Sequence, residues 1–149
     1  MEQNQRTQID HLLFQVLRSI FHYERRNAMN HGLGFQQIYA LQFPRRHPNV
    51  RLTEITSEME LPKFPASRLL NRMVDEGYLS KTPDQTDCRN CHLHLQGKGN
   101  KVIKDIENVS YARISANIAG FSPAETNELQ EAAEHLDKVL GVTEKVKDH

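Results

Sequence analysis

Tryptophan is absent from the chain, and only two cysteines occur among its 149 residues. Two thiols cannot make the framework of bridges on which small secreted domains rely, so the fold must rest on packing. Aromatic residues are scarce at 7%, and apolar residues stand at 38%, lean for a globular core. No run approaches the roughly 20 apolar residues that a bilayer crossing needs, and the polar start MEQNQRTQ has no leader-like apolar stretch. A cytoplasmic protein, outside the membrane, is expected. Signatures of catalysis are missing too: no glycine-rich phosphate loop, no nucleophile elbow and no HExxH helix occur, so an enzyme is not expected.

Net charge is also absent, since 19 basic and 19 acidic residues cancel. The distribution is uneven, however. Residues 1–44 carry a net +1, residues 45–104 a net +4 with His47, His92 and His94 in addition, and residues 105–149 a net −5. A basic middle gives a local field that a polyanion feels within a Debye length, about 8–10 Å. Solvated helix faces with chance asymmetry account for the charges equally well.

What the chain does have is helical periodicity. From Gln8 to Asn30, Ile9, Leu12, Leu13, Val16, Leu17, Ile20 and Phe21 follow the i, i+3, i+4 rule, and Gly32 offers a left-handed stop. A second helix fits Gly34 to Phe43, ended by Pro44 and Pro48. Thr53 is the expected N-cap of a short helix running to Met59. Lys63–Glu76 follows, with Leu69, Leu70 and Met73 on its inner side and Gly77 closing it. Tyr78–Thr82 and Cys91–Gln96 read as strands of a hairpin with the polar tip PDQTDCRN. A long helix over Lys98–Ala119 turns Val102, Ile106, Val109 and either Ile114 or Ile118 inward. Ser122-Pro123-Ala124-Glu125 then makes a capping box for a last helix ending at Gly141. No repeat or linker interrupts this order, so one mainly α domain over residues 1–149 is expected. Helices so long with so lean a core point to apolar stripes covered by a second copy.

A short helix, a turn, a second helix and a basic ribbon are the parts of a winged helix-turn-helix, whose second helix enters a major groove about 12 Å wide. Lys63, Ser67, Arg68 and Arg72 sit on or beside the face opposite Leu69, Leu70 and Met73, with the two arginines one turn apart. Arginine reads guanine bidentately or clamps phosphate, and serine does lesser versions of both. On an isolated amphipathic helix the same residues would simply be a solvated face.

At these positions the chain resembles the MarR (multiple antibiotic resistance regulator) family. Ser67-Arg68 stand in the recognition helix and Gly77-Tyr78-Leu79 close it. Asp87-Cys88-Arg89 match the Asp-x-Arg wing tip, and Leu95-Gln96 with Lys98-Gly99 lead into the long helix. The resemblance implies a winged helix-turn-helix lobe over 34–97 and dimerisation helices over 1–31 and 98–149. It further implies a homodimeric transcriptional regulator, a repressor before an activator, bound to a near-palindromic operator in double-stranded DNA and released by a small-molecule effector. By the same resemblance Arg89 enters the minor groove and Asp87 orients it, consistent with the pull of a narrow A·T-rich groove on arginine. Departures cluster around the recognition helix. Glu60 replaces the usual turn glycine, Pro62 the usual Ser or Thr cap, and Lys63-Phe64-Pro65 the usual small polar residues; Gln96 replaces the Thr cap of the long helix. An unusual base readout involving Lys63 and Phe64 is expected.

Cys88-Arg89-Asn90-Cys91-His92 spells the haem-attachment signature C-x-x-C-H. That chemistry follows export, and a wing tip offers a haem no apolar wall, so no cofactor is expected. Cys88, Cys91, His92 and His94 could in principle bind zinc, although a closed site usually draws its second ligand pair from elsewhere in the fold. Two thiols beside Arg89 could also form a redox switch. Incidental residues of a variable wing are the plainest reading. On the first helix His11, Arg18, His22 and Tyr23 could face a ligand cleft, or simply be surface residues. A winged helix using its basic face on an acidic protein is the remaining alternative function.

Overall fold

The computed structural model describes residues 1–87 and 90–142, in two compact units, Met1–Tyr39 and Ala40–His149. The element order matches the order expected from the periodicity.

The first unit is built on α1 (Gln3–Asn30), 28 residues long. It starts five residues before the expected Gln8, because the Gln5 side-chain oxygen accepts the Glu2 N–H at 3.2 Å and seals the polar first turn. It stops at Gly32, whose φ of +63° lets the Leu33 N–H reach back to the Ala28 carbonyl at 3.0 Å, a Schellman closure. Ile9, Leu12, Phe14, Val16, Leu17, Ile20 and Phe21 are all exposed along it.

Helix α2 (Phe35–Arg46) opens with the Gln37 side chain accepting the Gly34 N–H at 2.8 Å. It runs through Pro44 rather than ending at Phe43 as expected. A proline so near the C-terminus removes only the bond that residue 44 would have donated to residue 40, and the last turn survives it.

In the second unit α3 (Leu52–Glu58) and α4 (Lys63–Asp75) pack beside a two-stranded antiparallel sheet, β1 (Leu79–Pro83) with β2 (Cys91–Leu95). The register pairs Leu79 with Leu95, Lys81 with Leu93 and Pro83 with Cys91. A one-residue bridge, Arg51 to His92, adds a rudimentary third strand, with the Leu93 N–H donating to the Val50 carbonyl at 2.9 Å. That bridge also explains why α3 begins at Leu52, with Arg51 as N-cap instead of the expected Thr53. The sheet holds Arg51 extended, and the Glu54 carboxylate accepts its N–H at 2.9 Å. Leu41, Val50, Ile55, Leu70, Met73, Leu79, Leu93 and Ile103 form the fully buried core. Leu69, expected inside, is half-buried.

Helix α5 (Gly97–Ile118) starts against the hairpin, where Gly99 lies so close to Tyr78 that an added Cβ would stand 2.1 Å from the Tyr78 carbonyl oxygen. Farther along, Glu107 receives a bidentate pair from Arg45, at 2.8 Å to each carboxylate oxygen, tying α5 to the end of α2. Val102, Ile103 and Ile106 are buried, whereas Val109 and Ile114, expected inward, are exposed in the single chain, and Ile118, the alternative to Ile114, is half-buried. Helix α6 (Pro123–Leu140) begins on the capping box read from the sequence. Ser122 Oγ accepts the Glu125 N–H at 3.2 Å, and the Glu125 carboxylate accepts the Ser122 N–H at 2.8 Å. It ends at Gly141, φ +66°. Leu129 and Leu140 are exposed. Among the described residues no helix is long and apolar enough to cross a membrane.

Candidate nucleic-acid interface

Helix α4 owes its orientation to a strict inner stripe. Ala66, Leu70 and Met73 are fully buried, which forces Phe64, Ser67, Arg68, Asn71, Arg72 and Asp75 to line one open groove on the opposite side. The turn leading into it is tight. Glu60 takes a left-handed φ of +51°, the only non-glycine residue among those described to do so, at the position where the family resemblance expects glycine. Pro62 is the N-cap and offers no side-chain cap, so α4 starts without the hydroxyl that usually satisfies its first donors. Pro65, within the first turn, removes one of those orphan donors altogether. At the other end Gly77, φ +82°, lets the Tyr78 N–H return to the Met73 carbonyl at 2.9 Å, and the chain passes directly into β1.

The two arginines of this face are not equivalent. Arg72 Nε donates to Glu76 Oε1 at 2.6 Å, an i, i+4 pair that holds the guanidinium charge still more firmly. Arg68 is exposed and has no hydrogen-bond or ion-pair partner among the described residues. Lys63 is exposed at the first position of α4, Phe64 is 80% exposed, and Ser67 is half-buried. Lys81 of β1 reaches across to the Asn71 side chain, joining the wing to the same face.

The wing is anchored at its base by a carboxylate the sequence reading passed over. Asp84 is 8% exposed and gathers four contacts. Its Oδ1 accepts the Thr86 N–H at 2.9 Å and the Thr86 hydroxyl at 2.8 Å. Its Oδ2 meets His92 Nε2 at 3.0 Å and lies 3.5 Å from Arg51 Nε, an ion-pair approach without hydrogen-bond alignment. The Thr86 hydrogen bonds, ahead of His92 and the Arg51 charge, hold its carboxyl well below the usual carboxylate range. His92 Nδ1 in turn lies 2.7 Å from the Asn49 carbonyl, so both its ring nitrogens are engaged. The local signal was Asp-x-Thr, an Asx-turn pattern; nothing local announced Arg51 or Asn49. At the tip the Asn90 amide donates to Asp87 Oδ2 at 3.2 Å, and the Asn90 N–H to the Asp87 carbonyl at 3.0 Å. Arg89 and Cys88 lie outside the described residues.

Of the four zinc candidates, Cys91 is a free, half-buried thiol at the start of β2. His94 Nε2 pairs with the Thr82 hydroxyl at 2.8 Å, and His92 is committed as described. No group of three or more metal-capable side chains gathers among the described residues. His11, Arg18, His22 and Tyr23 all fall on α1, where the His22 ring meets Phe21 edge-on at 5.7 Å.

Two helices joined by a strained turn, a hairpin hinged on the second, and a one-residue third strand define a winged helix-turn-helix. Residues 31–89 match the pattern described as MarR family. Over 81 residues the chain is 30% identical to the HTH-type transcriptional regulator BilQ of Clostridioides difficile, a stretch covering 54% of this chain and 52% of that one, about half its length. The fold is similar to that of a MarR family protein from Bacillus stearothermophilus, with a TM-score of 0.81 at 18% identity over 95% of this chain and 99% of that one. It is also similar to Streptococcus pneumoniae FabT, solved in complex with DNA, with a TM-score of 0.72 at 18% identity over 91% and 97%. Over residues 31–89 the chain is thus similar to the MarR family, and the sequence relatives BilQ and YkoM are named as HTH-type transcriptional regulators.

Proposed function

We propose that the protein is a homodimeric, sequence-specific DNA-binding regulator of transcription, acting in the cytoplasm as a repressor. The observation that carries this reading is the outer face of α4. Its buried stripe fixes the helix, and the groove residues Ser67 and Arg68, with the exposed Lys63 and Phe64, are left to the solvent side. Arg68, without a partner among the described residues, supplies the guanidinium that guanine or phosphate would take, and Arg72 is a secondary contact because Glu76 already holds it. Asp87 and Arg89 would serve the minor groove, Arg89 entering it and Asp87 orienting it. FabT, the DNA-bound relative in fold, supports this reading.

Dimerisation is supported by what the single chain leaves uncovered. The apolar stripe of α1 recurs at helical spacing, and it and the exposed Val109, Ile114, Leu129 and Leu140 of α5 and α6 need a cover. Those helices, in 1–31 and 98–149, would hold two copies of the 34–97 lobe about 34 Å apart, one helical turn of a near-palindrome. A small effector, or modification of Cys88 and Cys91, would release the duplex by altering that spacing. Such coupling is typically about 1–3 kcal/mol.

The test is a titration of labelled duplex, drawn from a bound random pool, at increasing salt. Affinity should fall steeply and linearly on a logarithmic scale. Arg68→Ala and Arg89→Ala should each weaken binding more than Arg72→Ala, while sedimentation still gives a dimer. A salt-insensitive monomer with no affinity for duplex would refute the reading. Binding of an acidic protein in place of DNA would favour an interaction module.

A further inference from the structure

Phe64 is the most exposed large apolar side chain among the described residues of the sheet-bearing unit, and nothing in the fold accounts for it. It occupies the second position of α4, on the outer face, and lines the open groove with Ser67, Arg68 and Asn71. It takes no part in the buried stripe of Ala66, Leu70 and Met73. Its backbone is held on both sides. Pro62 at the N-cap and Pro65 in the first turn each fix a φ angle, so little chain freedom remains to be lost when the ring is immobilised.

Resting on the DNA-binding reading above, we infer that Phe64 is a specificity-determining residue that reads the C5-methyl group of a thymine in the major groove. Residues at the N-terminal end of a recognition helix are the ones that meet base edges. A phenyl ring has no donor for a phosphate and none for a base nitrogen or oxygen. The one apolar group on the major-groove floor is the thymine methyl, and phenylalanine is among the side chains that contact it. Wedging between base steps is a minor-groove device and does not fit a helix that lies in the major groove. Arg68 stands one turn further on the same face, about 6 Å along the axis at 1.5 Å per residue. That is about two base-pair steps of 3.4 Å. The thymine therefore lies within about two base pairs of the guanine or phosphate that Arg68 contacts. This chain replaces the small polar residues that the family carries here with Lys63-Phe64-Pro65, so its operator should differ from those of its relatives at this base pair.

The experiment replaces each thymine of a pool-selected duplex, one at a time, by deoxyuridine, which differs only in lacking the methyl. Affinity is then measured by fluorescence anisotropy for the wild type, Phe64→Ala and Phe64→Leu. For the wild type, one thymine per half-site should weaken binding about four-fold when its methyl is removed, the worth of one buried methyl group. Phe64→Ala should bind the two duplexes equally, and Phe64→Leu should keep part of the difference. Because the readout is a ratio within one variant, partial loss of fold cannot imitate it. Tight binding by the wild type with no sensitivity to deoxyuridine at any thymine would overturn the inference and leave the DNA-binding reading intact. An unchanged ratio in Phe64→Ala would do the same. Failure to bind any duplex at low salt would overturn both.

Discussion

Two glycines at the start of α5 should respond to alanine in different ways, and the difference measures how tightly that helix seats on the hairpin. At Gly97 a Cβ would meet nothing within 4 Å. At Gly99 it would lie 2.1 Å from the Tyr78 carbonyl oxygen, 3.1 Å from its carbon and 3.2 Å from Leu95 Cδ2. Contacts under 3.0 Å are not sustained, so something must give way by about 0.9 Å, the gap between the two distances. The obstacle is backbone, and backbone already in use, since the Tyr78 carbonyl accepts the Gln96 N–H at 3.0 Å. Overpacking of this kind costs about 1–3 kcal/mol, and weakening that hydrogen bond adds about 1 kcal/mol. Alanine's better helix propensity returns up to about 1 kcal/mol, and less near a helix start. The clash wins, and Gly99→Ala should lose about 3 kcal/mol, while Gly97→Ala stays within about 0.5 kcal/mol of the wild type. In a chain of this size that corresponds to a fall in Tm of about 6–12 °C for Gly99→Ala alone. Thermal melts followed by circular dichroism at one fixed protein concentration would read it, since an oligomer's melting point depends on concentration. Equal melting points for the two variants would refute the reasoning.

Two further outcomes follow from the geometry of the lobe. Glu60→Gly should stabilise the protein by about 0.5–1 kcal/mol in urea unfolding, because a left-handed φ of +51° costs a non-glycine residue about 1–2 kcal/mol and glycine loses part of that gain to chain entropy. Asp84→Asn should be less stable than the wild type near neutrality. With the folded carboxyl held below its ordinary value, the contribution of Asp84 is present above the unfolded pKa of about 3.9 and is lost as pH falls through the folded value. The gap between the two urea midpoints should therefore be constant from pH 7 to 5 and narrow below about pH 4. A gap that does not change with pH would mean that the Asp84 charge does not stabilise the wing base.

Much of the fold was legible because its signals are local. Ser122 and Glu125 cap each other across three residues, and Gly32, Gly77 and Gly141 all take the left-handed angles their positions suggested. The face opposite Leu70 and Met73 was legible for the same reason, since a helical period of 3.6 fixes which residues share a side. The errors fall where a distant partner decides. Thr53 looks like a better cap than Arg51, but Arg51 is held extended by its bridge to His92, forty-one positions away. Pro44 is the local exception, since a proline in a last turn forfeits a single bond and does not stop the helix. Asp84 carries no signal of its own for Arg51, and His92 none for Asn49.

The same distinction separates the residues of the proposed interface. Sequence spacing gives Arg68 and Arg72 equal standing, one turn apart on one face. The structure divides them, because Glu76 lies four residues beyond Arg72 and holds its guanidinium, whereas the equivalent position beyond Arg68 is Arg72 itself, which repels it. A guanidinium with no partner among the described residues and a like charge beside it has most to gain from an external anion or acceptor. The helix start points the same way. Glu60 in a strained turn, Pro62 without a capping oxygen and Phe64 bared to water are each locally unfavourable, and they fall within five consecutive residues. Local conflicts so concentrated, beside an inner stripe packed without compromise, are where a sequence departs from its own folding rules for the sake of a surface.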